Sequence, residues 1–379
     1  MKKGENLMKK RRKLFYRHRL ASSIFYLFSF AALICTVSIV YTSITSSLNI
    51  SGEGIVDGPV NEYYYKSGYF YEDEACTVKV TSNGSNVTKF SDMVNIAKDG
   101  NTIYMMSQYN VGVGTEEVTV GAKNIQVKRH PSFTNNSMFY IIGSSSEYKT
   151  FTIKAENSSG SIVFDGQNIE VSTDGGVFEI YGATAKLNII GSEKSNGEKN
   201  VKLINNKIIK TSSLEGGAIS NYYGGVVDLT NCELSNNSIY GSYARGGAIS
   251  SRSSTTLNLD SCTIRNNIAS GTSSDTKGGG VYNGNNMTIK GKTIIENNKS
   301  IINGVEKTDN LYLSYSTVDT SGLTSGSRIG ITTSTTPTSS SNVTISPSGS
   351  AASTADYFFS DVSGYIVSLV NNALVLKVG

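Results

Sequence analysis

Few residues in this chain are able to break bonds, and they are scattered. Glycoside hydrolysis needs two carboxylates about 5–9.5 Å apart, and the best-spaced pair is Asp228 and Asp260, nearly one repeat apart. Lys290 occupies the next equivalent position, so the series reads as a solvated surface. The sequence has no Asp-Asp pair, no Gly-His-Gly and no Trp. Tyr71–Glu74 and Glu116–Glu117 are local acid clusters without the D-x-D-x-D-G spacing of a tight calcium loop. Beyond the basic amino terminus the only His is His130, and no nucleophile–base pairing is legible around it. Cys232 and Cys262 lie 30 residues apart; stacking would put their Cα atoms about 4.8 Å apart, inside disulfide range. Parallel Cβ vectors suit that bond poorly and favour two buried thiols. Two sulfurs without a nearby His cannot complete a four-ligand metal site. The expectation is no catalytic residue, no cofactor and no metal.

Recognition is the chemistry that remains. The chain has 22 Tyr, and Tyr rings offer a large amphipathic area at low entropic cost. Tyr222, Tyr223 and Tyr243 flank GGAIS segments and are the candidate ligand-facing residues. Their alternative role is to shield turns and a sheet edge.

The elements that would position these residues repeat along the chain. NVKLINNKI, NCELSNNSI, SCTIRNNIA and KTIIENNKS align, and their second Asn residues, Asn206, Asn237, Asn267 and Asn298, are 31, 30 and 31 apart. GGAIS recurs at Gly216 and Gly246, GGGVY at Gly278, and a weaker DNLYL at Asp309. Apolar residues within each unit alternate with the strand period of two, as in Val227 and Leu229, then Cys232 and Leu234. Three short strands per unit, stacked with like residues eclipsed, give an all-β parallel β-helix, a solenoid. Val201, Cys232, Cys262 and Thr293 form one expected inward column, and Leu203, Leu234, Ile264 and Ile295 the next. The Asn column falls at a strand end, where Asn tolerates left-handed dihedrals and stacked amides can bond between coils. The GG pair reads as a tight turn needing φ > 0. A phosphate-cradling loop would require a following helix and a Lys-Ser/Thr, and neither is present.

GGAI at Gly216 and Gly246, with Leu203-x-x-Asn206, Leu234-x-x-Asn237, Ile264-x-x-Asn267 and Ile295-x-x-Asn298, resembles the GGAI/F-x-x-N repeats of polymorphic outer-membrane-protein passengers. The resemblance covers about 200–313, with Leu or Ile replacing Phe. It implies a right-handed parallel β-helix on a bacterial surface, often adhesive. Without a carboxy-terminal barrel segment after the repeats, an autotransporter route is not the expectation. The anchor and the ending look more like the β-helix surface proteins of Gram-positive anaerobes.

Charge and hydropathy set the expected location. Residues 1–19 hold nine of the 34 basic residues and one of the 30 acidic ones, leaving 25 basic and 29 acidic residues after them. The body is therefore net negative, and nucleic acid is not an expected partner. The apolar run at 20–41 is long enough for a hydrocarbon core about 30 Å thick, and its flanking charge places the carboxy-terminal portion outside. It reads as an uncleaved transmembrane anchor, with a long signal peptide and secretion as the alternative.

The expected organisation is a cytoplasmic basic segment at 1–19, the transmembrane segment at 20–41, and an extracellular Tyr-rich linker and entry strand at 42–88. The β-helix follows at 89–320, with an N-terminal capping helix near 91–98. Ser91 is its expected N-cap and Gly100 the residue past its end; Phe90, Met93, Val94 and Ala97 share one face. A C-terminal β cap with a flexible loop occupies 321–379, with strands at Leu323–Ile331 and Tyr365–Val378. The expected function is a non-catalytic cell-surface adhesin or binding module for an extracellular glycan or protein, attached to the membrane through its N-terminal segment. The alternatives are an extracellular carbohydrate-active enzyme, a polysaccharide lyase or glycoside hydrolase, and a passive structural envelope protein.

Overall fold

A computed structural model describes residues 62–144 and 146–379. The expected basic segment and membrane span lie outside the described residues. Among those described, no helix is long and apolar enough to cross a membrane.

The repeat unit shows how alternation becomes architecture. Val201–Ile204 runs into the Asn205–Asn206 bend, Lys207–Ile209 and Leu214–Glu215 follow, and Gly216–Gly217 turns the chain into Ile219–Tyr222. Val226–Thr230 then leads back to Cys232–Ser235, which lies parallel to Val201–Ile204. The expected three strands per unit are joined by the Lys207–Ile209 strand and the two-residue Leu214–Glu215. Those extra strands bury little; Ile208, Leu214, Ile239, Ala244 and Ala269 form a small second core beside the main one.

Register is kept from unit to unit. Leu203 pairs with Leu234, Leu234 with Ile264, and Ile264 with Ile295. Val227, Leu257 and Met287 form a second column, and Ile219, Ile249, Val281 and Leu311 a third. All of these pairings are parallel. With a period of two, a one-residue slip would turn every buried side chain outward, so these columns fix the stack. The result is an all-β solenoid of long parallel sheets, one of them 7-stranded.

Phe rings fill the core above the repeats. Phe90, Phe139, Phe151, Phe164 and Phe178 are fully buried, with neighbouring ring centroids 5.0–6.3 Å apart. Phe164 pairs with Leu203, so the first coil of the aligned repeats stacks aliphatic on aromatic. Glu62–Lys66 pairs parallel with Thr102–Met105, and its other edge is covered by the antiparallel strand Tyr69–Tyr71.

The helix is Phe90–Ile96, and Phe90, Met93, Val94 and Ala97 are buried. Its caps differ from the expected ones. Ser91 lies inside the helix; Lys89 is the N-cap and makes no side-chain bond. The first donors are satisfied from the solenoid, since Phe90 N–H bonds Tyr109 Oη at 3.0 Å and Ser91 N–H bonds Glu116 Oε1 at 3.0 Å. Ala97, not a residue beside Gly100, is the C-cap, and Lys123 Nζ donates to the carbonyls of Val94, Asn95 and Ala97.

At the carboxy-terminal end, Arg328–Thr333 pairs with both Ile294–Glu296 and Leu311–Leu313, joining two ladders in one strand. The expected strand at Leu323–Ile331 is broken by the turn between Asp319–Leu323 and Arg328–Thr333. The expected strand at Tyr365–Val378 is a hairpin through Asn371 and Asn372, both at positive φ. Val343–Ser346 adds to it and completes a three-stranded antiparallel sheet.

Candidate functional site

The second Asn of each pair forms a continuous file. Asn206 Nδ2 donates to Asn237 Oδ1 at 2.8 Å, Asn237 to Asn267 at 2.9 Å, and Asn267 to Asn298 at 2.9 Å. Asn310 extends the file at 3.1 Å. The Oδ1 atoms of Asn237, Asn267, Asn298 and Asn310 each also accept the backbone N–H of the preceding member, at 2.9–3.2 Å. These residues do not take the left-handed conformation expected of them. The first Asn of each pair does: Asn205, Asn236, Asn266 and Asn297 all have φ of 57°. The first Asn bends the chain and the second, buried one bonds between coils.

Tyr222 ends the strand that follows the Gly216–Gly217 corner, Tyr223 lies in the turn just after it, and Tyr243 comes just before the Gly246–Gly247 corner; the structure separates their roles. Tyr223 is 64% exposed and meets the half-exposed Tyr181 ring at 4.6 Å. Tyr222 is buried, and burial, then the carboxylates of Asp174 and Glu215, push its hydroxyl pKa well up. Tyr243 is half-buried beneath the Arg245 guanidinium, 4.7 Å from its ring.

Beside these rings runs a column of charge that sequence reasoning missed. Glu215 pairs with Arg245, Arg245 bridges to Lys277, and Glu215 N–H donates to Asp174 Oδ1 at 3.0 Å. Each member immediately precedes a Gly-Gly pair, as Asp174, Glu215, Arg245 and Lys277. The signal was therefore legible as a charged residue before every corner.

The carboxylates crowd one end of this column. Glu215 accepts from Ser250 Oγ and faces Arg245 Nη1 at 3.4 Å and Arg252 Nε at 3.7 Å. Burial raises its pKa while Ser250 and the two Arg residues oppose the rise. Glu179, on the neighbouring coil, is pushed up to about 7 by burial and by Asp174. Asp174 is itself raised by burial. Ser220 Oγ, fully buried between the strand positions of Glu179 and Ser250, has no hydrogen-bond partner. Rings and cations fill the other end. Tyr282 stacks on Tyr312 at 5.7 Å, Arg245 covers Tyr282 at 5.1 Å, and Lys277 Nζ donates to Tyr312 Oη at 2.9 Å.

Asp228 and Asp260 lie on a different sheet and do not share a column. Asp228 pairs with Asn258, and Asp260 with Lys290. Both line a shallow depression of about 260 Å³ with Thr230, Thr288 and Lys290. Asp228 is held there by Lys186 at 2.6 Å and Asn258 at 2.6 Å. Cys232 and Cys262 stand as buried, free thiols, with Cys232 Sγ bonded to Thr230 O. His130 lies against both a hydroxyl and a carboxylate, Ser132 and Glu74. Glu74 is 56 residues away in sequence, so no local motif marks the contact.

No protein-family model matches the chain, and neither a curated protein nor a solved structure matches it.

Proposed function

We propose that this chain is a bacterial surface protein whose right-handed parallel β-helix binds an extracellular ligand, most simply a saccharide, on the lateral face carrying Tyr222, Tyr223 and Tyr243. The N-terminal apolar segment serves as its membrane anchor, and its repeats belong with the GGAI/F-x-x-N surface proteins they resemble. One observation carries the reading: the exposed Tyr181–Tyr223 pair, with rings 4.6 Å apart, adjoins Tyr222 at 6.3 Å, and Tyr222 lies under Arg252 and feels the carboxylates of Asp174 and Glu215, two members of the charged file. Aromatic faces cover sugar rings, and flanking charged groups hydrogen-bond hydroxyls and fix orientation. In this reading the face holds its ligand without cleaving it.

A glycan array probed with the full chain, followed by titration of any hit against Tyr223→Ala, tests the proposal. Tyr223 is largely exposed, so the variant should fold normally and lose at least about tenfold in affinity. Binding that Tyr223→Ala leaves intact would remove the face from consideration, and no saturable ligand at all would favour a passive envelope spacer.

The acidic end of the face favours a second reading, glycoside hydrolysis. A proton-holding carboxyl beside a second carboxylate is the requirement for acid and base partners; burial pushes Glu179 up to about 7 and also raises Glu215, with two Arg residues opposing the rise at Glu215. This reading requires release of reducing ends that is lost in both Glu179→Gln and Glu215→Gln.

A further inference from the structure

At the opposite end of the described chain from the β cap, three residues meet in an order that the lateral face does not use. His130 follows the strand Asn124–Arg129, and its Nδ1 lies 2.7 Å from Ser132 Oγ and 3.2 Å from the Ser132 backbone nitrogen. Its Nε2 lies 3.1 Å from Glu74 Oε1. The backbone N–H is only a donor, so Nδ1 must carry the lone pair and Nε2 the hydrogen. Ser132 Oγ–H thus points at a basic nitrogen, and the opposite N–H is held by a carboxylate. Tyr64 and Tyr104 fix the imidazole plane by edge contacts at 6.3 and 6.1 Å. His130 is 13% exposed, while Ser132 is open to solvent.

A nucleophile within hydrogen-bond reach of a base that a third group orients is the geometric signature of acyl transfer, whatever the residues' order in sequence. We propose that Ser132, His130 and Glu74 form an esterase site acting on acyl esters, an activity beyond ligand binding by the lateral face. Ser132 Oγ attacks the ester carbonyl carbon as its proton passes to His130 Nδ1. The tetrahedral intermediate collapses, the alcohol leaves with that proton, and the acyl group stays on Ser132. Water then attacks the acyl carbon, gives a proton to Nδ1, and the carboxylic acid departs as Ser132 recovers its hydrogen. Ester and water become acid and alcohol, with no other reactant. Glu74 is a positioning residue that stabilises the imidazolium through Nε2–H.

The test exposes the full chain to a fluorophosphonate probe and to 4-nitrophenyl acetate. The probe should add to Ser132, mapped by peptide mass spectrometry, and nitrophenolate release should fall at least about 100-fold in Ser132→Ala. Ser132 is exposed, so that variant keeps its fold. His130→Gln should lose the adduct as well. Glu74→Gln keeps an acceptor but not the charge, and should lower kcat at least about tenfold with KM unchanged. No adduct at Ser132, ester hydrolysis unchanged in Ser132→Ala, or an unchanged kcat in Glu74→Gln overturns the proposal. Saccharide binding lost in Tyr223→Ala would be unaffected by any of these outcomes.

Discussion

Asp361 Oδ1 accepts the side-chain amide of Asn310 at 2.6 Å, and Asp361 Oδ2 accepts the Asn310 backbone N–H at 2.7 Å. The polarity of the Asn file runs one way, each amide donating to the next oxygen, so its last donors need a group that only accepts. An ionised carboxylate meets that need, and Thr332 Oγ1 adds a third donor at 3.3 Å. Asp361→Asn has nearly the same shape but turns an NH2 toward these donors. It should cost about 1–3 kcal/mol at pH 7, read by denaturant unfolding. Because burial raises the Asp361 pKa, the parent's advantage should be widest at low pH and narrow as pH rises toward 7.

Within the file, the two Asn residues of a pair should respond to substitution in opposite ways. Asn267→Ala strips the acceptor from Asn237 N–H and Nδ2 and the donor from Asn298 Oδ1, all buried. The expected loss is about 2–4 kcal/mol, because orphaned buried groups bear their full desolvation cost. Asn266→Gly, one residue earlier at positive φ, should stay within about 0.5 kcal/mol of the parent. Equal effects in thermal unfolding would show that the left-handed bend, and not the amide file, sets stability here.

The Gly pairs carry more than turn geometry. Gly216, Gly246 and Gly278 do take positive φ, of 69°, 73° and 66°. Their partners are constrained by contact: a Cβ on Gly217 would overlap the carbonyl oxygen of Gly247, and one on Gly247 that of Gly279. Gly217→Ala should therefore spread adjacent coils and destabilise by at least about 2 kcal/mol, visible as a lowered Tm. A shift under one degree would mean the coils already have slack at this corner.

What the sequence disclosed, and what it hid, follows from where each signal was stored. Leu203, Leu234, Ile264 and Ile295 advertise their column because burial demands an apolar residue at every coil, so the pattern repeats. The Asn pairs announced a column too, but not its division of labour, since both members are Asn and only φ separates Asn266 from Asn267. Asp174, Glu215, Arg245 and Lys277 occupy one structural position while changing sign, so a search for identical residues passed over them. Ser91 satisfied a local capping rule, yet Tyr109 and Glu116 supply the helix's bonds from later coils. Glu74 and His130 meet only through the fold.

The pH dependence of stability should draw on both Asp309 and Glu179, each raised by burial, and Asp309 is the one that a single variant isolates most simply. It is buried, Oδ2 accepts Gly278 N–H at 2.8 Å, and Oδ1 has no partner. Burial outweighs that bond and raises its pKa from 3.8 to about 6. The sign follows from proton counts: between these values the folded chain holds the proton more tightly than the unfolded one. The stabilising contribution is complete below pH 4 and is lost as pH rises through 6. Burial raises Asp361 in the same direction, so the parent should weaken from pH 4 to 7. A shift of two pKa units corresponds to about 3 kcal/mol, and Asp309→Asn, which keeps an acceptor for Gly278, should recover part of it at pH 7.5. Urea unfolding across this range should give a shallower slope in the variant than in the parent. A variant slope as steep as the parent's would place the titrating group elsewhere.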